Sequence, residues 1–353
     1  QHFNTVSELV KSLKIRVALQ TSAFKTKSLD KYNVIIGTHA LINEKLNFEK
    51  VGFVIIDEQH RFGVQQRAIL KDKGINPHLL TMTATPIPRT VALTLYGELD
   101  ISHLDEMPKG RIPVKTYVVP KNKRDNMYKW LEAKIIKEKI QIFVVCPLIE
   151  ESEKETMQSI KAAKIEYDFL SKKVFPKFKV GLLHGKMKSK EKDEVMKKFK
   201  ENNCSILVCT SVVEVGIDIS NATVMVVEAA ERYGLAQLHQ LRGRIGRGEK
   251  QSFCLLFCET TGSKALKRLK FFAQNTSGAK IAAFDLQQRG PGEIYGTSQH
   301  GVFQLKIADL TNYELLEKTK KAVFKFDKKY KIGDYPQLKK RLDEYNIHQI
   351  ARD

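Results

Sequence analysis

No stretch of this 353-residue chain approaches about 18 consecutive apolar residues, so a membrane-spanning helix is not expected. Gln1-His2-Phe3-Asn4-Thr5 lacks the basic start and apolar run of a secretory signal. The five cysteines build no site. Cys254 and Cys258 are four apart on a strand-like run, which separates them by about 13 Å, too far for a disulfide or a shared metal. Reduced, buried thiols in a cytoplasmic protein are expected instead. His39, His60, His184 and His239 show no zinc spacing, and no segment repeats at a fixed period. The phosphate-cradling loop G-x-x-x-x-G-K-[ST] has no match: Gly185-Lys186 is followed by Met187, and position 180 is Val. Acidic residues are in short supply, 40 against 60 Lys and Arg, for a net charge of +20. Such a field attracts polyanions and speeds their capture, although evenly solvated lysines would give the same count.

What remains is ample core. The length suits two or three domains, and 42% of residues are hydrophobic. Residues 6 to about 110 alternate helical and strand patterns, with strands at Val34 to Gly37, Phe53 to Ile56 and Leu79 to Met82. Pro108 to Pro113 reads as a linker, because proline and glycine punctuate it. A second alternating set follows, with strands at Gln141 to Cys146, Lys179 to Leu183, Ser205 to Cys209, Val224 to Val227 and Phe253 to Phe257. Ser189 to Lys200 is an intervening helix with Ser189 as candidate cap and Glu191 and Glu194 in its early turns. This pattern predicts parallel sheets with right-handed crossovers. After about residue 263 the alternation stops. A basic amphipathic helix (Lys264 to Phe272), a loop rich in Gly, Gln and Arg (Asp285 to Gly301) and a helix with seven lysines (Lys318 to Lys331) follow.

Four segments carry chemistry. Val54-Ile55-Ile56 runs into Asp57-Glu58, which reads as a buried parallel strand with its acids at the carboxyl end, where open α/β sheets bind ligands. Asp57 would hold Mg²⁺ and Glu58 would orient or deprotonate water; an acidic turn after a strand is the plainer alternative. Thr81 to Pro86 ends another apolar segment in small hydroxyls, and Thr210 to Asp218 supplies a Gly-Asp loop. In Gln240-Leu241-Arg242-Gly243-Arg244-Ile245-Gly246-Arg247-Gly248, Arg244 and Arg247 lie three apart on what reads as a helix start. There they would share a face as a fork for a transferred phosphoryl group; a basic surface helix is the alternative.

The ordered set resembles motifs II, III, V and VI of superfamily-2 helicases. Longer blocks narrow the resemblance to the RecG family, bacterial DNA helicases that remodel replication forks. These blocks are Gly37 to Ile42, Asp57 to Val64, Thr83 to Thr90, Ala236 to Gln240, and Arg289-Gly290-Pro291-Gly292-Glu293 with Gly296 and Gln299. They span about residue 1 to about 340. Gln59 and Ala40 favour this family over the related transcription-repair coupling factor.

The resemblance implies two RecA-like parallel-sheet lobes, the first truncated, and a mostly helical and loop extension at the carboxyl end. The divisions would be residues 1–110, 111–262 and 263–353. It implies an ATP-driven translocase on branched double-stranded DNA (forks and Holliday junctions), cytoplasmic and monomeric, with single-strand binding protein as a candidate partner. ATP and Mg²⁺ would be the cofactors. Asp57 would bind the metal, Glu58 would position water, and Arg244 and Arg247 would reach the phosphates. Gln240, Gly216 and Asp218 would line the nucleotide. Gln59, His60, Thr83 and Thr85 would couple nucleotide state to DNA grip, and Arg289 and Gln299 would carry the stroke. The departure is the absent phosphate loop. The chain reads as a piece beginning downstream of that loop, without the family's wedge domain, and unable to hydrolyse ATP alone. A non-catalytic DNA-binding remnant of a helicase is the rival of another class.

Overall fold

The computed structural model describes residues 2–43, 46, 50–58, 77–84, 100, 102, 104, 106–108, 110–147, 153–210, 219–259, 262–289 and 313–344. The chain divides into two compact units, residues 1–84 with 335–353, and residues 85–334.

In the first unit, helix α1 (His2–Leu9) precedes two separate parallel strand pairs. β1 (Val17–Gln20) pairs with β2 (Val34–Gly37), and β3 (Phe53–Ile56) with β4 (His78–Thr81), Ile56 opposite Thr81. The expected β2 and β3 form as read, and β4 lies one residue earlier than expected. β1 was not expected, because four residues give too short a periodicity to distinguish from a loop. The reading of β3 as fully buried needs correction. Val54 and Ile56 face inward, whereas Phe53 and Ile55 are each 55% exposed. An unbroken apolar run therefore marks a strand without proving that both its faces are covered.

The second unit is a six-stranded parallel sheet with helices on both faces. β5 (Lys115–Pro120) leads into α2 (Arg124–Glu138), β6 (Gln141–Val145) and α3 (Glu153–Phe169). Then come β7 (Val180–Leu183), α4 (Ser189–Lys200), β8 (Ile206–Cys209), β9 (Ala222–Val227), α5 (Leu235–Arg242) and β10 (Phe253–Cys258). The strand order is β5-β10-β9-β6-β8-β7. Successive side chains on a strand point to opposite faces, so each strand feeds two cores. Phe143, Val145, Leu207, Met225 and Val227 pack with Phe199 of α4 and Leu238 and Leu241 of α5. Ile142, Val144, Ile206, Val208 and Val226 pack with Leu131 and Ile135 of α2 and Ala163 of α3. Strands covered on both faces are near-continuous apolar runs, which is why the sequence pattern located them. β5 escaped that pattern because it is an edge strand and alternates exposed Lys115 and Tyr117 with half-buried Thr116 and Val118.

Helix α4 has the predicted limits, but its cap is one residue earlier. Lys188 is the N-cap, and its backbone N–H donates to Glu191 Oε2 at 3.2 Å. Beyond β10, α6 (Ser263–Gln274) and α7 (Gly278–Arg289) join the first core through Leu269, Phe272 and Ile281. Asp285 to Arg289 is thus the last turn of α7 rather than the start of a loop; the run Asp285-Leu286-Gln287-Gln288-Arg289 holds no helix breaker, and Leu286 is buried. Helices α8 (Tyr313–Lys329) and α9 (Pro336–Glu344) complete the described elements.

Candidate functional site

Two groups of predicted site residues are described, one in each unit. In the first unit, β3 delivers Asp57 and Glu58 just beyond Ile56. Asp57 Oδ1 accepts from the Glu58 backbone N–H at 2.9 Å. Glu58 itself has a φ of +52°, a left-handed conformation that costs an L-residue about 1–2 kcal/mol. Such strain persists where surrounding contacts over-determine it, and it clusters at working sites. Here the Glu58 side chain crosses to the neighbouring strand: its Oε2 accepts from the Ala84 N–H at 3.2 Å. The Met82 N–H meanwhile donates to the Ile56 carbonyl at 2.8 Å. The acid pair and the Thr83-Ala84 segment are therefore one hydrogen-bonded unit, as two adjacent parallel strands ending together allow. Asp57 keeps an open carboxylate, about half exposed, with Oδ2 3.3 Å from His2 Nε2. Elsewhere in this unit, Gly37 closes β2 in a space no side chain could share: a Cβ there would sit 2.3 Å from the Gln20 carbonyl oxygen.

In the second unit, the arginine segment needs a correction. Helix α5 ends at Arg242, so Arg244 and Arg247 follow a helix instead of starting one. Gly243 caps the helix and Gly246 turns left-handed at φ +74°, which breaks the periodicity that a shared helix face requires. The pair is presented by a loop. Ile245 is fully buried and pins it, while Arg244 is half-buried and Arg247 exposed. A Cβ on Gly246 would approach Val114 Cγ2 to 2.7 Å. Arg242, by contrast, is a structural arginine. It is 5% exposed, donates to the Phe272 carbonyl at 3.1 Å, and lies 4.1 Å above the Phe272 ring. Its Nη2 is 3.3 Å from His239 Nδ1. Burial first, and the Arg242 charge second, push the His239 pKa down to about 4, so the ring is neutral and accepts at Nδ1.

Sequence reading missed a third cluster, at the carboxyl ends of β6 and β9. Glu228 follows Val227 as Asp57 follows Ile56, the same signal of an apolar run ending in an acid. Its backbone N–H donates to the Val145 carbonyl at 2.9 Å and its Oε2 lies 3.2 Å from Arg124 Nη2. Glu259 reaches the same guanidinium at 3.8 Å, and the Phe257 ring lies 5.0 Å below it. Burial and the nearby Glu166 push Glu228 up to about 8, against the pull of Arg124. Glu166 is raised too, chiefly by burial. Arg111, in the segment read as a linker, was also missed; no local pattern marks an arginine whose partners lie more than 130 residues away.

Gln240 lies on α5 and Arg289 ends α7. Gln59, His60, Thr85, Gly216, Asp218 and Gln299, together with the side chain of Arg289, lie outside the described residues. All five cysteines are free and buried, as read. Among the described residues no group of three His, Cys, Asp or Glu could hold a metal, and no helix is long and apolar enough to cross a membrane.

Residues 1–94 match the DEAD/DEAH box helicase family model, and residues 123–249 match the helicase conserved C-terminal domain. The chain is 47% identical over 337 residues to the ATP-dependent DNA helicase RecG of Thermotoga maritima, covering 93% of this chain and 43% of that protein. It is 50% identical over 325 residues to RecG of Aquifex aeolicus, covering 88% and 40%. A solved structure of RecG bound to a three-way DNA junction superposes with a TM-score of 0.69 at 44% identity, over 90% of this chain and 42% of that one. Mss116p bound to single-stranded RNA and AMP-PNP shares the fold alone, with a TM-score of 0.57 at 16% identity, over 78% of this chain and 59% of that one. The chain spans less than half the length of the RecG relatives it matches.

Proposed function

The chain belongs to the RecG family of DNA helicases, and on that premise we propose that it carries the acid and arginine machinery of an ATP-driven motor on branched double-stranded DNA. The motor regresses forks and migrates Holliday junctions in recombination and repair. MgATP, when bound, supplies the phosphoryl group and the metal's charge. The Asp57 carboxylate fits a hard cation that retains several waters, because it is an oxygen donor about half exposed to solvent. Glu58 orients the attacking water and accepts its proton. Arg244 and Arg247 meet the charge that develops on the transferred group, and Gln240 braces them. Gly216 and Asp218 serve the nucleotide. Gln59, His60, Thr83 and Thr85 pass its state to the DNA grip, and Arg289 and Gln299 convert it to movement. The basic excess draws in the duplex phosphates. The buried free thiols suit the reducing cytoplasm.

The observation that carries this reading is the Glu58–Ala84 hydrogen bond. It ties the water-orienting acid to the hydroxyl segment, so a change at the nucleotide is felt one strand away. The chain contains no glycine-lysine phosphate loop, so by itself it should not turn over ATP. The test measures phosphate release with and without forked DNA, from this chain and from the intact gene product that carries it. Fork-stimulated turnover on the order of 1 s⁻¹ or more is expected of the gene product only. The same rate from the chain alone would overturn its expected inactivity. An inert gene product would make the chain a non-catalytic DNA-binding remnant.

A further inference from the structure

We propose that Arg111 is the positioning residue of the arginine loop, holding Arg244 and Arg247 at their working geometry by binding the loop's carbonyls. The proposal rests on the reading that those two arginines act on a phosphoryl group. Arg111 Nε donates to the Gly246 carbonyl at 3.1 Å, and its Nη2 lies 3.5 Å from the carbonyls of both Gly243 and Ile245. These acceptors flank Arg244 and precede Arg247, so one guanidinium grips the backbone around both.

Three physical features make this grip specific. The acceptors lie at and just past the C-cap of α5, where the partial negative charge of the helix end favours a cation. A planar fork of five donors in fixed geometry spans several carbonyls at once and loses less freedom per bond than a lysine's point-like ammonium. The neighbours of Arg111 lie along the same loop. Val114 occupies the space that a Gly246 side chain would need. Gln251 Nε2 donates to the Pro113 carbonyl at 2.9 Å, and the Lys115 N–H to the Ser252 carbonyl at 3.0 Å. Residues 111–115 therefore form a strap along the loop from Gly243 to Ser252.

A loop released from this strap should misplace its arginines by about 1 Å, and a displacement of that size costs about 10²-fold in rate. The test has two arms. In this chain, hydrogen exchange of amides 243–248 is compared between the native sequence, Arg111→Ala and Arg111→Lys. Arg111→Ala should speed exchange there at least tenfold while β9 and the body of α5 stay protected, with Arg111→Lys in between. In the intact gene product, fork-stimulated ATP hydrolysis is measured for Arg111→Ala, Arg247→Ala and the double variant. Arg111→Ala should lower kcat about 10²-fold with KM and fork affinity within threefold, and the double variant should be no slower than Arg247→Ala alone. Unchanged loop exchange, or losses that multiply in the double variant, would overturn the proposal. Arg247→Ala with undiminished kcat would sink the arginine reading itself, a result visible without any Arg111 variant. Should Arg111→Ala not fold, Arg111→Lys carries both arms, and native behaviour in both would refute the strap.

Discussion

Glu228→Gln should remove most of the loss of thermal stability that the second lobe undergoes between about pH 6.5 and pH 8. Glu228 titrates at about 8 in the folded lobe and near the ordinary glutamate value, about 4.3, in the unfolded chain. Between those values the folded state keeps a proton that the unfolded state has released. Its contribution to stability is therefore full below about pH 4.3 and gone above about pH 8. At about 1.4 kcal/mol per pH unit the ceiling is about 5 kcal/mol. Glu166, also raised chiefly by burial, loses stability in the same direction as pH rises. His239 acts in the opposite sense. Its folded pKa of about 4 lies below the unfolded value of about 6.5, so its contribution, about 3 kcal/mol at most, is present above pH 6.5 and lost as pH falls towards 4. The two slopes roughly cancel from about pH 4.5 to 6.5 and leave one falling limb above it, worth about 2 kcal/mol. For a lobe of this size that limb is about 4–8 °C in Tm. Calorimetric melting at constant ionic strength from pH 5 to 9 would resolve it. His239→Gln should expose the limb between pH 4.5 and 6.5 that the native histidine masks. A native Tm that rises above pH 6.5, or an unchanged limb in Glu228→Gln, would refute the assignment.

Gly246→Ala should cost the second lobe about 1–3 kcal/mol, read by thermal or urea melting, because the left-handed backbone and the 2.7 Å approach to Val114 both oppose a Cβ. A substitution that is neutral there would mean that the loop adapts freely. In the intact gene product, Arg289→Ala should keep fork-stimulated hydrolysis within a few-fold while fork unwinding collapses. If hydrolysis, unwinding and melting temperature drop together, Arg289 serves the fold instead of the stroke.

The second lobe was legible because its strands are sandwiched between helices: Val224-Met225-Val226-Val227 has no polar face to hide it. The first lobe was read less well. Phe53 and Ile55 are exposed, and an apolar run carries no information about which face is covered. Asp57, Glu58 and the arginines were legible as types in order. What was not legible is how they are held. The helix expected to start at the arginines is instead a loop that follows α5, since a glycine's effect depends on its φ, and Gly246 adopts +74° against Val114, a neighbour more than 130 residues away. The same distance hid Arg111. Glu228 was missed although it repeats the Asp57 signal, because its raised pKa comes first from burial and then from Glu166, and neither is local in sequence.

Arg247 is proposed to act on the phosphoryl group. The most direct measurement is kcat for ATP hydrolysis beside the Kd for forked DNA, at one salt concentration, for the intact gene product and its Arg247→Ala variant. Loss of a charge-stabilising arginine falls on turnover, by about 10³- to 10⁵-fold in comparable systems. Duplex binding rests on many phosphate contacts and should stay within about twofold. A variant that still hydrolyses ATP while binding forks ten times more weakly would make Arg247 a DNA ligand and contradict the account.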